Sequence, residues 1–180
     1  MRKFLIKNYY FVFLAGILFA ITPYESTAQM INSASFEANF KGDGTAFYTI
    51  DNTTGQLSYM LNFGQQAGVW LSYGEPYRKN GLSGLHFKAI ERGDSTGTSF
   101  YIIDSKLGQL SYMSDFGLEA GNWTSYGSVL KDVTLTDFEA QATALGIVFY
   151  AYDGVAKQMY YMQDFGEQAG IWLAFGRQEY

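Results

Sequence analysis

The chain has 180 residues, a formal net charge of −5, no cysteine and a single histidine. This composition excludes a disulfide framework and metal sites built from thiolates or histidine clusters, so we expect neither a metal nor another cofactor. An acidic surface also disfavours nucleic acids and anionic lipids, whose phosphates must be neutralised by Lys and Arg.

Residues 1–28 have the composition of a secretory signal peptide. Basic residues precede an apolar run at 11–21, which is too short to span a bilayer, and small residues follow at Ser26 and Ala28. This order predicts cleavage after Ala28, a mature chain that starts at Gln29, and no transmembrane helix in that chain. We therefore expect the protein to be secreted, periplasmic or displayed at the cell surface.

One passage of 28 residues occurs three times without gaps, at 47–74, 100–127 and 149–176. Twelve of its columns are identical in all three copies, and the spacing of 53 and then 49 residues is typical of a repeat-built fold. A shorter motif that begins at Phe36, Phe87 and Phe138 extends each copy to nearly the full period. The sequence therefore predicts one domain at 29–180, made of three units at about 33–80, 81–132 and 133–180.

Each unit is predicted to form four short β-strands. In the first unit the predicted strands cover residues 33–40, 45–51, 56–63 and 69–73. Phe, Tyr, Ile, Thr and Val fill these segments, as expected for residues on a pleated surface. Gly, Asn and Asp at 42–44 and 52–55 are typical of the tight turns between antiparallel strands. The fold class predicted is all-β.

Three units of four strands suggest a closed arrangement with threefold pseudosymmetry, because closure removes the strand edges that an open sheet leaves unpaired. A β-trefoil is the commonest way to build twelve strands from three units, and we take it as the leading expectation. A β-prism made of three sheets is the next alternative.

The segments FEANFKGDGTAFYTID, GQLSYM and GVWLSYG resemble the blades of tachylectin-like and tectonin-like propellers. In such blades a Phe strand, a Gly turn, a Tyr strand and a Trp strand follow one another. The threefold repetition also resembles that of β-trefoil lectins. The propeller resemblance implies that two chains complete one ring, since three blades are too few to close. Both resemblances imply a lectin-like function.

Three sets of side chains recur at equivalent positions and are candidates for related ligand sites. They are Trp70, Trp123 and Trp172; Tyr59, Tyr112 and Tyr161; and the polar residues Asn62, Asp115 and Asp164. A Trp ring stacks on the apolar face of a sugar, and the polar residue that lies eight positions before each Trp could bind the sugar hydroxyls next to it. A Trp is also a common core anchor in a small β-unit. Each Tyr precedes a Met on its strand, so the Tyr rings face outward if the Met side chains are buried.

The aspartates at 51, 104 and 153 end a strand just before a tight turn, where a carboxylate accepts backbone N–H groups and holds the turn. Calcium binding at Asp51 is the alternative, and it is weaker in the third copy, where neighbouring oxygen ligands are lost. His86 is the only histidine, so no triad or histidine metal cluster can recur with the repeat. We expect no enzyme activity.

The function predicted is an exported, non-enzymatic, lectin-like binding module with up to three related sites for glycans or other cell-surface partners. One alternative is a structural or assembly protein of the cell envelope. Another is a small outer-membrane β-barrel, although the predicted strands are shorter than the roughly 9–11 residues that a spanning strand needs. The sequence leaves the oligomeric state open.

The predicted signal peptide can be tested by intact mass measurement of the exported protein. The mass should correspond to a chain that starts at Gln29, because Ser26 and Ala28 occupy the two positions that a signal peptidase reads. A mass that still includes residues 11–21 would indicate a membrane-anchored protein instead.

Overall fold

A computed structural model describes residues 33–77, 84–91 and 97–177, so the predicted signal peptide lies outside the described residues. Within these ranges the chain is all-β and forms twelve strands with no helix, as the sequence predicted. Consequently none of the described segments is a helix of the length and apolarity that a membrane span requires.

Each unit contributes four strands. Unit 1 contains β1 (Ser33–Phe40), β2 (Thr45–Asp51), β3 (Leu57–Leu61) and β4 (Leu71–Tyr73). Unit 2 contains β5 (Leu85–Glu91), β6 (Thr98–Asp104), β7 (Gln109–Ser114) and β8 (Thr124–Tyr126). Unit 3 contains β9 (Leu135–Ala142), β10 (Ile147–Asp153), β11 (Gln158–Gln163) and β12 (Leu173–Arg177). In unit 1 the first two strands have the predicted bounds, and the other two are shorter than predicted.

The strands of each unit form one four-stranded antiparallel sheet in chain order. Sheet 1 has the order β1-β2-β3-β4, sheet 2 the order β5-β6-β7-β8, and sheet 3 the order β9-β10-β11-β12. Every ladder among the described strands joins strands of the same unit. Sequential strands pair because the connections between them are tight turns, as in a β-meander.

The register of the ladders gives each sheet two chemically distinct faces. Phe47 lies opposite Met60 and Tyr48 lies opposite Tyr59, and the other two units repeat both pairings. Because successive residues of a strand point to opposite faces, the Phe and Met side chains share one face and the Tyr side chains share the other. We call these the back face and the front face of a sheet.

The sheets pack front to back, and each interface contains a core. In the first core Tyr48 and Ile50 from the front of sheet 1 meet Phe100 and Met113 from the back of sheet 2. In the second core Tyr101, Ile103 and Leu110 from the front of sheet 2 meet the back face of sheet 3, to which Phe149 and Met162 belong. Sheet 2 lies between its neighbours, and all seven residues of β6 are accordingly buried.

The first strands of the three units lie next to one another and are joined by one ion cluster. Lys88 Nζ on β5 lies 3.1 Å from a carboxylate oxygen of Glu37 on β1 and 2.9 Å from one of Glu139 on β9. Burial alone would lower the pKa of Lys88, but the hydrogen bonds to both glutamates outweigh it and raise that pKa. A single cation therefore links equivalent positions of all three units.

Glycines allow the last strand of one unit to approach the next unit closely. Cβ atoms added at Gly74 and Gly127 would lie 2.6 Å from the carbonyl oxygens of Gly121 and Gly170, respectively. Directly after these glycines, the N–H of Glu75 donates to Gly121 O at 2.8 Å, and the N–H of Ser128 donates to Gly170 O at 2.6 Å. The same glycine contact thus forms at both interfaces.

A Gly127→Ala substitution should test this close approach against a matched control. Gly127 and Gly117 both have positive φ, at 69° and 82°, so alanine is strained at either position. A Cβ at Gly117 meets nothing within 4 Å, whereas one at Gly127 collides with backbone. We expect Gly127→Ala to lower the free energy of unfolding by about 1–3 kcal/mol more than Gly117→Ala does. Urea denaturation of both variants measures the difference, and equal losses would contradict the proposed packing.

Candidate functional site

A cleft lined by aromatic rings lies at the interface between sheets 1 and 2. Its walls are formed mainly by Tyr48, Tyr59 and Tyr73 from unit 1 and by Phe100 and Asp115 from unit 2. It encloses about 420 Å³, within the range of small-molecule binding sites. We call it the first cleft.

An equivalent second cleft lies between sheets 2 and 3. It is lined by Tyr101, Tyr112, Tyr126, Phe149 and Asp164, which occupy the same repeat columns as the five residues of the first cleft. Its volume is smaller, about 140 Å³. The repeat therefore generates the same constellation twice, each time from three tyrosines of one unit and a phenylalanine and an aspartate of the next.

The ladder register explains why the three tyrosines converge. Tyr48 and Tyr59 lie directly opposite each other on β2 and β3, so both rings project from the front face of sheet 1. Tyr73 on β4 completes the row, and its ring lies 6.1 Å from that of Phe100. In the second cleft, the rings of Tyr126 and Phe149 are 6.4 Å apart.

The hydroxyls of Tyr73 and Tyr126, one from each cleft, stay protonated at neutral pH. Burial raises the pKa of Tyr73 and of Tyr126 above the ordinary value, and the carboxylates of Asp115 and Asp164 add to the increase. Tyr73 donates to the carbonyl oxygen of Ser114 at 3.3 Å. Tyr48 Oη and Thr98 Oγ1 are hydrogen-bonded at 3.2 Å.

The aspartates at the clefts also hold the strands that carry the neighbouring rings. Asp115 Oδ1 accepts the N–H of Thr98 at 2.6 Å, and Asp164 Oδ1 accepts that of Ile147 at 2.7 Å. Asn62 Oδ1 makes the same contact with the N–H of Thr45 at 2.7 Å. An amide oxygen can therefore fulfil the structural role, and the carboxylate charge is an additional property of units 2 and 3.

Lys41 adds a positive group to the lining of the first cleft. Its Nζ donates to Thr98 Oγ1 at 2.8 Å and lies 3.3 Å from Glu91. Lys41 and Asp115 both line the cleft. The first cleft thus presents opposite charges together with aromatic surface.

The tryptophans, which sequence analysis paired with the polar residues, lie elsewhere. Trp123 packs edge-on against Tyr77 with ring centroids 5.7 Å apart, and it lines a separate depression of about 280 Å³ next to Glu75 and Asn122. Trp172 is half-buried against the second core, and Trp70 is exposed. The aspartates thus meet the tyrosines of the preceding unit, not the tryptophan of their own unit.

The third set of candidates is divided between the two outer sheets. Tyr161 lies on the front face of sheet 3, where its ring is 6.0 Å from that of Phe175. Asn62 belongs to sheet 1, and no unit of the described chain stands before that sheet. One chain therefore builds two complete clefts, and neither Tyr161 nor Asn62 belongs to them.

The tyrosines at 48, 73, 101 and 126 were missed as site residues by sequence reasoning, although the pattern contained a signal. The column of Tyr48 is Tyr in all three copies, and the column of Tyr73 is Tyr, Tyr and Phe. A front-face position shared with Tyr59 could have been read from the strand alternation. The missing information was that another unit covers this face.

The strand-ending aspartates hold tight turns, as predicted. Asp51 Oδ1 accepts the N–H groups of Thr53 and Thr54 at 2.9 and 2.7 Å, and the aspartates at 104 and 153 make equivalent contacts. Across the described part of the chain, no three His, Cys, Asp or Glu residues group in a way that could hold a metal ion.

Comparisons with protein-family models, with curated proteins and with solved structures gave no match.

Asp153 should make stability depend on acidic pH. The N–H of Ala156 is the main cause that lowers the pKa of Asp153 below its ordinary value; burial opposes it, and the N–H of Val155 reinforces it. A lowered pKa in the folded state stabilises the fold above the unfolded-state pKa of about 3.9, and this contribution disappears as pH falls through the folded value.

We therefore expect Asp153→Asn to lower the melting temperature at neutral pH, and this loss should shrink as the pH falls through the lowered pKa of Asp153. Thermal unfolding followed by circular dichroism across this range measures it. Asp132 is exposed and has a positive φ of 58° that asparagine tolerates, so Asp132→Asn is the matched control and should leave the profile unchanged. A constant difference between wild type and Asp153→Asn at all pH values would refute the assignment.

Proposed function

We propose that this protein is an exported, non-enzymatic, lectin-like binding module whose ligand sites are the clefts between successive units. The observation that carries the proposal is the repetition of one cleft, with three tyrosines facing a phenylalanine and an aspartate, at both interfaces. The structural role of Asp115 and Asp164 as backbone acceptors needs only an amide oxygen, as Asn62 shows, so the negative charge at both interfaces is not explained by packing.

The chemistry of the clefts favours a neutral, hydroxylated ligand. Aromatic rings pack against the apolar face of a sugar ring, tyrosine hydroxyls donate hydrogen bonds, and a carboxylate accepts them from sugar hydroxyls. An aromatic cage with one carboxylate also suits a quaternary ammonium group. Lys41 disfavours that cation in the first cleft, since it adds a positive charge to the lining that Glu91, 3.3 Å away, offsets only in part. We therefore propose a glycan as the ligand.

The architecture supported best is that of propeller blades. A β-trefoil requires barrel ladders that join successive units, and a β-prism packs the inner faces of its three sheets around one core. Here the ladders stay within units, and the two cores lie on opposite faces of sheet 2. Four-stranded meanders stacked front to back, with their first strands adjacent, agree with blades around an axis.

Repeated clefts suit a repetitive ligand. When one site is occupied, a second site on the same molecule binds the same polymer at high effective concentration, so avidity exceeds the affinity of either site. This favours a polysaccharide or a densely displayed surface glycan as the biological ligand.

A structural role in the cell envelope is the second candidate, and the invariant Gln column supports it. Gln56 Nε2 donates to the carbonyl oxygens of Leu57 and Tyr73 at 3.0 Å, which ties β3 to β4. Gln109 makes the same contacts, and Gln158 also joins its third strand to its fourth. Columns of this kind stabilise a scaffold without contributing to a ligand site.

The two candidates can be separated by removing hydroxyls from both clefts. The double variant Tyr59→Phe/Tyr112→Phe keeps the rings and therefore the packing. We expect it to keep the wild-type melting temperature and to lose roughly three- to tenfold in affinity per site for the glycan selected on an array, since each hydroxyl supplies one hydrogen bond. Isothermal titration with that oligosaccharide measures the loss.

Tyr160→Phe is the matched control, because Tyr160 packs against the second core and is not among the residues that form either cleft. It should bind as the wild type does. Choline serves as the cationic probe, and tighter binding of choline than of any glycan would favour the ammonium cage. Wild-type affinity in the double variant, or no glycan bound by the wild type, would remove the clefts as glycan sites and favour the scaffold role.

A further inference from the structure

The outward faces of the first and last sheets carry the same residue columns that are buried at the two internal interfaces. Sheet 1 presents its back face, and sheet 3 presents its front face, with no described unit opposite either. In a stack of units that simply ends, the outer faces are expected to be polar. Here both of them are aromatic.

On the back face of sheet 1, an aromatic pair is already arranged as at the internal interfaces. The rings of Phe36 and Phe47 are stacked with centroids 5.6 Å apart, like Phe87 on Phe100 and Phe138 on Phe149. In the internal pairs the first ring is 1% or 2% exposed, whereas Phe36 is 56% exposed.

The front face of sheet 3 shows the complementary difference. Met159 occupies the column of Leu57 and Leu110, which are fully buried, yet it is 38% exposed. Phe175 occupies the column of Tyr73 and Tyr126 and is 62% exposed. Both side chains lie where a following unit would cover them.

We propose that two copies of this chain join head to tail into one closed ring of six sheets. The front face of sheet 3 of each copy packs against the back face of sheet 1 of the other, so the ring has two identical new interfaces. Propellers close with about four to eight blades, so three units are too few and two copies give a suitable number.

The internal interfaces specify the contacts expected at the new ones. Tyr48 meets Phe100 edge-on at 5.1 Å, and Tyr101 meets Phe149 in the same way at 4.9 Å. By the repeat, Tyr150 meets Phe47 of the partner subunit. Similarly, Gly176 pairs with Gly68 of the partner subunit, as Gly74 does with Gly121.

The glycines provide independent support for this pairing. Cβ atoms added at Gly74 and Gly127 collide with the adjacent unit, but atoms added at Gly68 and Gly176 meet nothing within 4 Å. Gly176 nonetheless has the same left-handed backbone, with φ of 62° against 66° and 69° at its two equivalents. Gly176 and Gly68, the pair expected at the new interface, are thus both present, and neither is contacted by another unit of the same copy.

Ring closure also completes the third cleft, a consequence that rests on the proposed function. Tyr150, Tyr161 and Phe175 face Phe47 and Asn62 of the partner subunit in the arrangement of the two internal clefts. Asn62 replaces the carboxylate of the other clefts, so the third cleft has no negative charge at that position. A closed dimer would hold six clefts, where two separate chains hold four.

The glutamates of the first strands oppose closure. At the first strands, Glu139 comes next to Glu37 of the partner subunit, since these positions follow each other around the axis. Each glutamate is already paired with the Lys88 of its own copy, which reduces the repulsion between them. Closure is favoured by burial of the exposed apolar side chains of Phe36, Met159 and Phe175.

The test is the mass of the purified protein in solution, measured by sedimentation velocity without ligand. We expect the mass of two chains at micromolar concentration. Phe36→Glu and Phe175→Glu each place a charge in one of the two faces and should each halve the mass, while their circular dichroism spectra stay unchanged because both side chains are exposed within one copy. Leu118→Glu is the matched control, since Leu118 is fully exposed and the third unit has Glu167 in its column.

A wild-type monomer would overturn the proposal, as would a mass larger than two chains. Dissociation by only one of the two variants would also overturn it, because that result indicates a dimer formed by one face packing on itself. Because the mass is measured without glycan, a mass of two chains would support the closed ring even if the clefts bind no glycan. If they do bind, titration should give three sites per chain in the wild type and two in Phe36→Glu.

Discussion

The edge-on contact between a front-face tyrosine and the phenylalanine of the next unit holds the fold together. A single four-stranded sheet has two apolar faces and cannot bury either by itself, so no unit of this size is expected to be stable alone. Tyr48 on Phe100 and Tyr101 on Phe149 bury one face of each partner. The glycine approach, the ion cluster at Lys88 and the two clefts lie at the same two interfaces as these ring pairs.

The sequence predicted the parts of the fold that local chemistry determines. Strand alternation and turn formers located β1 and β2 of unit 1, and the aspartate column predicted the turns that Asp51, Asp104 and Asp153 hold. The assembly of the sheets could not be predicted in the same way. Phe47 and Tyr48 point to opposite faces and both are aromatic, so period-two alternation does not show which face meets which unit.

The candidate site was only half predictable for a related reason. Tyr59, Tyr112, Asp115 and Asp164 were selected because they recur, and all four line a cleft. Their grouping with tryptophan was suggested by nearness in sequence. The chain between Asp115 and Trp123 turns at two glycines of positive φ, which separates the two side chains. The aspartate instead meets the preceding unit, a contact that sequence distance cannot reveal.

The repeat also relates the site to the assembly. Because each cleft takes three tyrosines from one unit and an aspartate from the next, a row of three units has one cleft fewer than units, and a ring has as many clefts as units. In the proposed ring, glycan binding and closure use the same surfaces. A ligand that spans a cleft touches two units, so it stabilises the interface in proportion to how tightly it binds. A glycan at the third cleft would bind the closed ring alone and would favour it over separate chains.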